Sequence, residues 1–270
     1  MRHLVSFSTG LSSAITVERV LARYGRKETE IIFMDTTIED EDNYRFLVDC
    51  QARWGEITVL CEGRDPYQVA AAKQIIANQK VAPCTFELKI NLFQEYVKRV
   101  YPDAWLTIHI GYDFTELHRC EPTQRNYEAQ GWRVDFPLLW KPYETRSYGQ
   151  VVREEWGIKP PRMYKLGYSH ANCGGQCVKQ GQGDWLRTLL NFPERYREAE
   201  SWEEAMRTHP TRKHYAILRD QSGGKVKPLT LREFRLRHEA KRAVQPSFLD
   251  EQFGGCIYCG VGDLLAQPTR

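Results

Sequence analysis

The sequence predicts an α/β fold: a doubly wound, mostly parallel sheet, followed by a helical C-terminal part that cysteines clasp. Three observations predict it. Short apolar segments alternate with segments of helical period through the first half of the chain. After about Phe136 the pattern changes to Pro-punctuated, aromatic-rich and helical stretches. Two close cysteine pairs, Cys173/Cys177 in NCGGQC and Cys256/Cys259 in GGCIYC, stand in that second half.

The elements follow in order. Residues 2–7 (RHLVSF) read as a short buried strand that ends in a Ser/Thr/Gly loop. From Ser12, apolar residues recur at Ala14, Val17, Val20 and Leu21, a helical period. IIFMD (31–35) is a second buried strand that ends in an acid, DNYRFLVDCQARWG suits a helix, and EITVLC (56–61) is a third strand. A helical stretch around 90–101 precedes a fourth strand, TIHIGY (107–112). Strands so alternated build a Rossmann-like sheet whose C-terminal strand ends share one edge, where ligands bind. Residues 145–156, 184–207 and 228–242 read as helices. The expected division is an α/β domain over 1–136 and a helical part over 137–270.

Composition bounds the function. The 270 residues, 41% hydrophobic and 27% charged, suit a soluble globular chain with a full core. A net charge of +3 gives no polyelectrolyte signal, yet basic residues gather between Arg207 and Arg242. That stretch is either a phosphate-tracking surface for nucleic acid or a solvated helical face. The start MRHLVSFSTG is too polar for a signal peptide, and no run approaches the ~18 apolar residues of a membrane span. The expected location is cytoplasmic, without membrane contact. Eight cysteines there read as reduced thiols serving as ligands or nucleophiles.

Four thiolates at Cys173, Cys177, Cys256 and Cys259 can close a tetrahedral zinc site or hold a cubane iron–sulfur cluster. The alternative is four unrelated buried thiols. The loop Ser6-Phe7-Ser8-Thr9-Gly10-Leu11-Ser12-Ser13 joins a strand to a helix, where small residues, hydroxyls and the helix N-terminus favour a phosphate. It also reads as a Ser-capped helix with no ligand. Asp35 suits Mg²⁺, a ribose hydroxyl or a helix N-cap. Cys84 reads either as a buried filler thiol or, between Pro83 and Thr85, as a loop thiol whose pKa Lys89 can lower. Gly111, Glu116 and Arg119 follow the fourth strand, at the ligand edge or in an exposed turn.

In this order the segments resemble the phosphoadenosine phosphosulfate (PAPS) reductase-like family of the adenine nucleotide alpha-hydrolase, or PP-loop, superfamily, common in bacterial and phage genomes. SFSTGLSSA resembles its modified PP-loop, IIFMDTT its strand ending in an acid and Thr, and PCTFELKI its Cys-Thr-x-x-Leu-Lys segment. HIGYDFTELHR is similar to its Ile-Gly segment, FPLLWKPYETRSYGQVVREEWGI to its Pro-Leu segment, and LGYSHANCGGQCVKQG to its Asn-Cys segment. The resemblance spans residue 4 to about 195. It implies ATP or PAPS with phosphates at Ser6, Ser8, Thr9, Gly10, Ser12 and Ser13, and Asp35, Gly111, Glu116 and Arg119 near the nucleotide. It implies catalytic roles for Cys84, Lys89 and Asp35, a [4Fe–4S] cluster or zinc on the cysteine quartet, and Mg²⁺ with the phosphates. The implied activity is nucleotide-dependent sulfur transfer of an ATP-pyrophosphatase type, onto nucleic acid or a small sulfur or nucleotide substrate. Sulfonucleotide reduction is the first alternative, and a non-catalytic nucleotide- or nucleic-acid-binding protein with structural zinc is the second. Two departures bear on these. Thr9 and Ser12 stand in a loop where ATP-hydrolysing members carry two Gly and an Asp, and Val261 follows Cys259-Gly260 where the reductases have Glu-Cys-Gly-x-His.

Overall fold

Apolar and β-branched residues crowd the two central strands, β1 (Arg2–Phe7) and β2 (Thr29–Asp35), which are buried almost throughout. The computed structural model describes residues 1–102, 105–140, 146–222 and 224–244. Between these strands runs α1 (Leu11–Tyr24). Then come α2 (Glu41–Trp54), β3 (Thr58–Cys61), α3 (Pro66–Ala72) and the short α4 (Pro83–Thr85). A π-helical stretch, Phe86–Asn91, leads into α5 (Leu92–Val100) and β4 (Leu106–His109). A 3-10 turn (Phe114–Glu116), α6 (Leu117–Glu128) and β5 (Arg133–Asp135) complete the sheet region. The helical part holds α7 (Tyr148–Glu154), α8 (Arg162–Lys165), α9 (Gln182–Asn191), α10 (Pro193–Arg207), a hairpin of β6 (Leu218–Asp220) and β7 (Lys227–Leu229), and α11 (Leu231–Val244).

The sheet is five-stranded and parallel throughout, in the order β3-β2-β1-β4-β5. Strand order reverses between β1 and β4, so the crevice beyond their C-terminal ends is the expected ligand position. Alternation sends side chains to both faces. Val5, Phe7, Ile31 and Phe33 pack with α1, α2 and α7, while Leu4, Ile32, Met34 and Ile108 pack with α5 and α6. Local chemistry sets the helix starts. Asp40 caps α2 through the Asp42 amide, and Asp65 and Ser147 close capping boxes with Gln68 and Gln150.

The α/β prediction with a parallel sheet holds. The third strand starts two residues later than expected, at Thr58, and the fourth ends at His109, because Gly111 turns to pack on α1. The expected helix over 145–156 is Tyr148–Glu154, with Thr145 outside the described residues. The expected single helix over 184–207 is two, broken at Phe192, after which Pro193 opens α10 at its first turn. The predicted helix over 228–242 starts at Leu231, because residues 227–229 pair in the hairpin. Inside this part Glu203, fully buried, accepts the Ile217 and Leu231 amides at 2.7 Å each and so joins α10 to the hairpin and to α11. Among the described residues no helix is long and apolar enough to cross a membrane.

Two histidines meet under the sheet's α1 face. His3 Nδ1 and His109 Nε2 are 2.9 Å apart, His3 stacks on Tyr24 at 3.7 Å, and His109 has no exposed surface. Burial holds the His109 pKa down at about 4, against the pull of Asp135, and burial lowers His3 as well. The unfolded chain therefore takes up these protons first. The stability contributed by the neutral pair is complete above about pH 6.5 and is lost as pH falls toward 4, a loss on the order of 3 kcal/mol for His109. Urea midpoints of the wild type should fall across that window, and those of His109→Gln should fall less. Parallel pH profiles would contradict the assignment.

Candidate functional site

The strand-to-helix loop after β1 is tightly built. The Ser8 amide donates to Ser13 Oγ at 3.1 Å, Ser13 Oγ donates to the Gly10 carbonyl at 2.9 Å, and Thr9 Oγ1 donates to the Ser8 carbonyl at 2.6 Å. Thr9 is buried and left-handed, with φ 56°, a conformation uncommon outside glycine. The helix cap differs from the Ser-capped alternative. Gly10 is the N-cap, with no side-chain hydrogen bond, and no acid lies in the first turn of α1. The Leu11 amide goes to the Tyr164 hydroxyl at 3.1 Å, and a first turn without an N-cap side chain keeps its next amides for an oxyanion. Ser6 lies within β1, opposite Ile32, and Ser12 offers its carbonyl to Thr16 Oγ1 at 2.8 Å.

Gly111 comes against this same turn. A Cβ there would lie 2.7 Å from Thr16 Oγ1 and 3.2 Å from the Ser12 carbonyl oxygen, so only glycine permits the approach. Glu116 and Arg119 pair with each other, and the Arg119 guanidinium lies 4.1 Å over the Tyr112 ring. Among the described residues neither is recorded in contact with the 6–13 loop. Asp35, at the end of β2, accepts the Thr37 amide and the Tyr44 hydroxyl at 2.8 Å each. The N-cap of α2 is Asp40 instead, which removes the capping alternative for Asp35.

The thiol loop docks on the β2–α2 connection. Glu39 Oε2 accepts the Cys173 amide at 2.7 Å, and Asn43 Nδ2 donates to the Ala171 carbonyl at 2.6 Å. Asp40, fully buried, takes one guanidinium nitrogen from Arg162 at 2.8 Å and one from Arg195 at 2.7 Å. Both guanidiniums lie over the Phe192 ring, and Arg195 also donates to the Gly174 carbonyl at 3.0 Å. Burial pushes the Asp40 carboxyl up, but the two arginines outweigh it and hold the acid below its usual range.

Cys173 and Cys177 titrate as one unit. The neighbouring Cys177 and burial push the Cys173 thiol up, while Cys173, the Lys179 amide and the Lys89 charge draw Cys177 down. The first proton to leave belongs to the pair. Cys84 packs against Ala70, Ala77 and Val178 and lies within electrostatic reach of Cys177 and Lys89. It sits in the short helix α4, half-buried, which corrects the loop expectation. Lys89 does pull its pKa down as expected, yet burial and Cys177 dominate and the net direction is up. Lys89 projects from the π-helical stretch, a form frequent at functional sites. Burial disfavours its charge, but Glu39 and the three thiols outweigh that and keep it protonated.

The structure thus gathers Glu39, Cys84, Cys173 and Cys177 within electrostatic reach of Lys89. Tyr67 closes the group, its hydroxyl donating to the Gln176 carbonyl at 2.7 Å. Among the described residues no group of three or more His, Cys, Asp or Glu side chains is arranged to hold a metal ion. Cys256 and Cys259 lie outside the described residues. Glu39, Asp40, Tyr67, Arg162 and Arg195 are missed by the sequence reading, although Glu39 and Asp40 stand in the acidic run after β2 from which it chooses Asp35.

In the basic stretch 207–242 three arginines are held in ion pairs. Arg232 pairs with Glu204 at 2.9 Å, Arg235 with Glu200 at 2.8 Å and Arg237 with Asp220 at 2.5 Å. Lys213, Lys225 and Lys227 make no ion pair among the described residues.

Removing the Asp40 carboxylate leaves Arg162 and Arg195, over one ring, with the exposed Glu41 as their shared carboxylate. Asp40→Ala should lower stability by about 2–4 kcal/mol, at the lower end because Arg162 is partly solvated. Urea unfolding measures the loss, and a change below about 1 kcal/mol would contradict the clamp. No protein-family model and no curated protein matches the chain, so the functional reading rests on the residues and geometry of this edge.

Proposed function

We propose that the protein is an adenine nucleotide-dependent sulfur-transfer enzyme with a cysteine-held metal centre, as the resemblance to the PAPS reductase-like family implies. The observation that carries the reading is the meeting of Cys84, Cys173, Cys177 and Lys89 at the carboxyl edge of a parallel sheet whose switch point holds the hydroxyl-rich loop.

The donor set fits a soft metal in part. Cys173 and Cys177 are adjacent thiols that supply two ligands, and Cys84 is the nearest candidate third. Cys256 and Cys259 remain the proposed source of the rest. When bound, an iron–sulfur cluster supplies electrons or a site for sulfur, and zinc supplies structure alone. The chain's own groups divide the remaining work. The 8–13 loop and the start of α1 receive the nucleotide phosphates, with Mg²⁺ and Asp35 beside them. Glu39 orients the thiol loop through the Cys173 amide, and Lys89 holds negative charge next to the thiols. The acceptor is a nucleic acid reached through the lysines of 207–242, or a small sulfur compound.

Structural zinc in a non-catalytic nucleotide-binding protein is the second reading. The hydrogen bonds that the 8–13 loop already makes within itself favour it.

Anaerobic purification with iron, zinc and labile-sulfide analysis separates the two. We expect a brown protein containing iron and sulfide, and binding of ATP or PAPS. Cys84→Ser, Cys173→Ser and Cys177→Ser should each lower metal content in a folded protein. Zinc without sulfide selects the second reading. Full metal retention in Cys84→Ser removes Cys84 from the ligand set, and no affinity for either nucleotide refutes both readings.

A further inference from the structure

The hydroxyl-rich loop and the thiol loop meet at one side chain. Tyr164, on α8, packs against the α1-face core and also against the small cluster of Met163, Tyr168 and Ala171. Its phenol oxygen accepts the amide of Leu11, the first residue of α1, at 3.1 Å. Its ring packs on the cluster that contains Ala171. Ala171 stands two residues before Cys173, and its carbonyl is held by Asn43. One side chain thus ties the start of α1 to the segment that carries the thiols.

That oxygen also occupies the place of a ligand atom. A free first-turn amide is where an oxyanion binds. An oxyanion that takes the Leu11 N–H must share it with the phenol or displace it. Displacement moves the ring that packs on Met163, Tyr168 and Ala171 at the same moment. Gly10 is the nearest loop residue to this contact: a Cβ on it would lie 3.2 Å from the Tyr164 oxygen, 3.4 Å from Ser8 Oγ and 4.0 Å from Ser13 Oγ. Its backbone, at φ −92° and ψ 159°, is ordinary for any residue, so alanine there presses on Tyr164 without backbone strain.

We infer that Tyr164 is a positioning residue that couples occupancy of the 8–13 loop to the geometry of the Cys173/Cys177 loop. That the occupant is a nucleotide phosphate rests on the proposed function; the mechanical link does not. The coupling enters through the phenol oxygen, since a phenyl ring of the same shape keeps both packing contacts and loses the Leu11 amide.

The test is a double-mutant cycle read by hydrogen exchange on the full chain, with Gly10→Ala, Tyr164→Phe and the pair. The segment 168–178 reports the thiol loop, and residues 29–35 report global opening. Gly10→Ala should speed exchange in 168–178 by about fivefold when Tyr164 is present and by less than about twofold in Tyr164→Phe, with 29–35 unchanged. An equal effect in both backgrounds, no effect in either, or the same change in 29–35 would overturn the coupling. Ser13→Ala, which releases the Gly10 carbonyl from its 2.9 Å bond, runs the same cycle if Gly10→Ala does not fold. ATP or PAPS added to the wild type should also change exchange in 168–178, and Tyr164→Phe should bind the nucleotide without that change. An intact mutational cycle with no nucleotide response overturns the phosphate as trigger and leaves the link standing. A nucleotide response that persists undiminished in Tyr164→Phe overturns the link.

Discussion

Two adjacent carboxylates, Glu39 and Asp40, fix the thiol loop to the sheet. Glu39 holds the Cys173 amide, and Asp40 gathers Arg162 and Arg195, the second of which holds the Gly174 carbonyl. Both acids belong to the connection after β2, whose position the β1–β2 register sets. The sheet therefore determines where the cysteines lie, although they come from the helical part. A buried carboxylate is costly alone, and two guanidiniums that stack on Phe192 offset that cost.

This anchoring explains an awkward backbone. Cys173 and Gly174 are consecutively left-handed, at φ 53° and 55°. A Cβ on Gly174 would lie 2.9 Å from the Ile38 carbonyl oxygen, so the loop approaches the β2–α2 connection as closely as glycine allows. The cysteine accepts a strained conformation because its amide is fixed by Glu39 and its neighbour's carbonyl by Arg195. Strain held this way is a feature of sites whose side chains must point in one direction.

The sheet was legible in the sequence because its signals are local. Apolar runs at 2–7 and 31–35 and the helical period after Ser12 each lie within one element, and their alternation implies parallel strands. The polar ends of those strands were legible for the same reason. β5 was not, being three residues with only one apolar side chain among them. The anchors of the thiol loop were not legible either. Asp40 with Arg162 and Arg195, and Tyr164 with Leu11, are pairs separated by more than a hundred residues, and no spacing rule connects them. Cys84 carried a partial signal in its neighbouring Lys89. Its proximity to Cys177 depends on how α3 and α4 pack beside the thiol loop, which is a tertiary fact.

The two halves of the candidate site have opposite electrostatic character. The start of α1 has no acid in its first turn and presents the positive end of a helix dipole, which suits an anion. The thiol group combines one cation, Lys89, with Glu39 and a thiol pair whose first proton is lost easily. Tyr164 stands between the two. The phenol is neutral, since burial holds its proton, and it contributes an oxygen acceptor to the Leu11 amide. A charged residue at 164 would bias one half against the other. A neutral acceptor lets the position of the two loops, rather than a fixed charge, carry the communication between them.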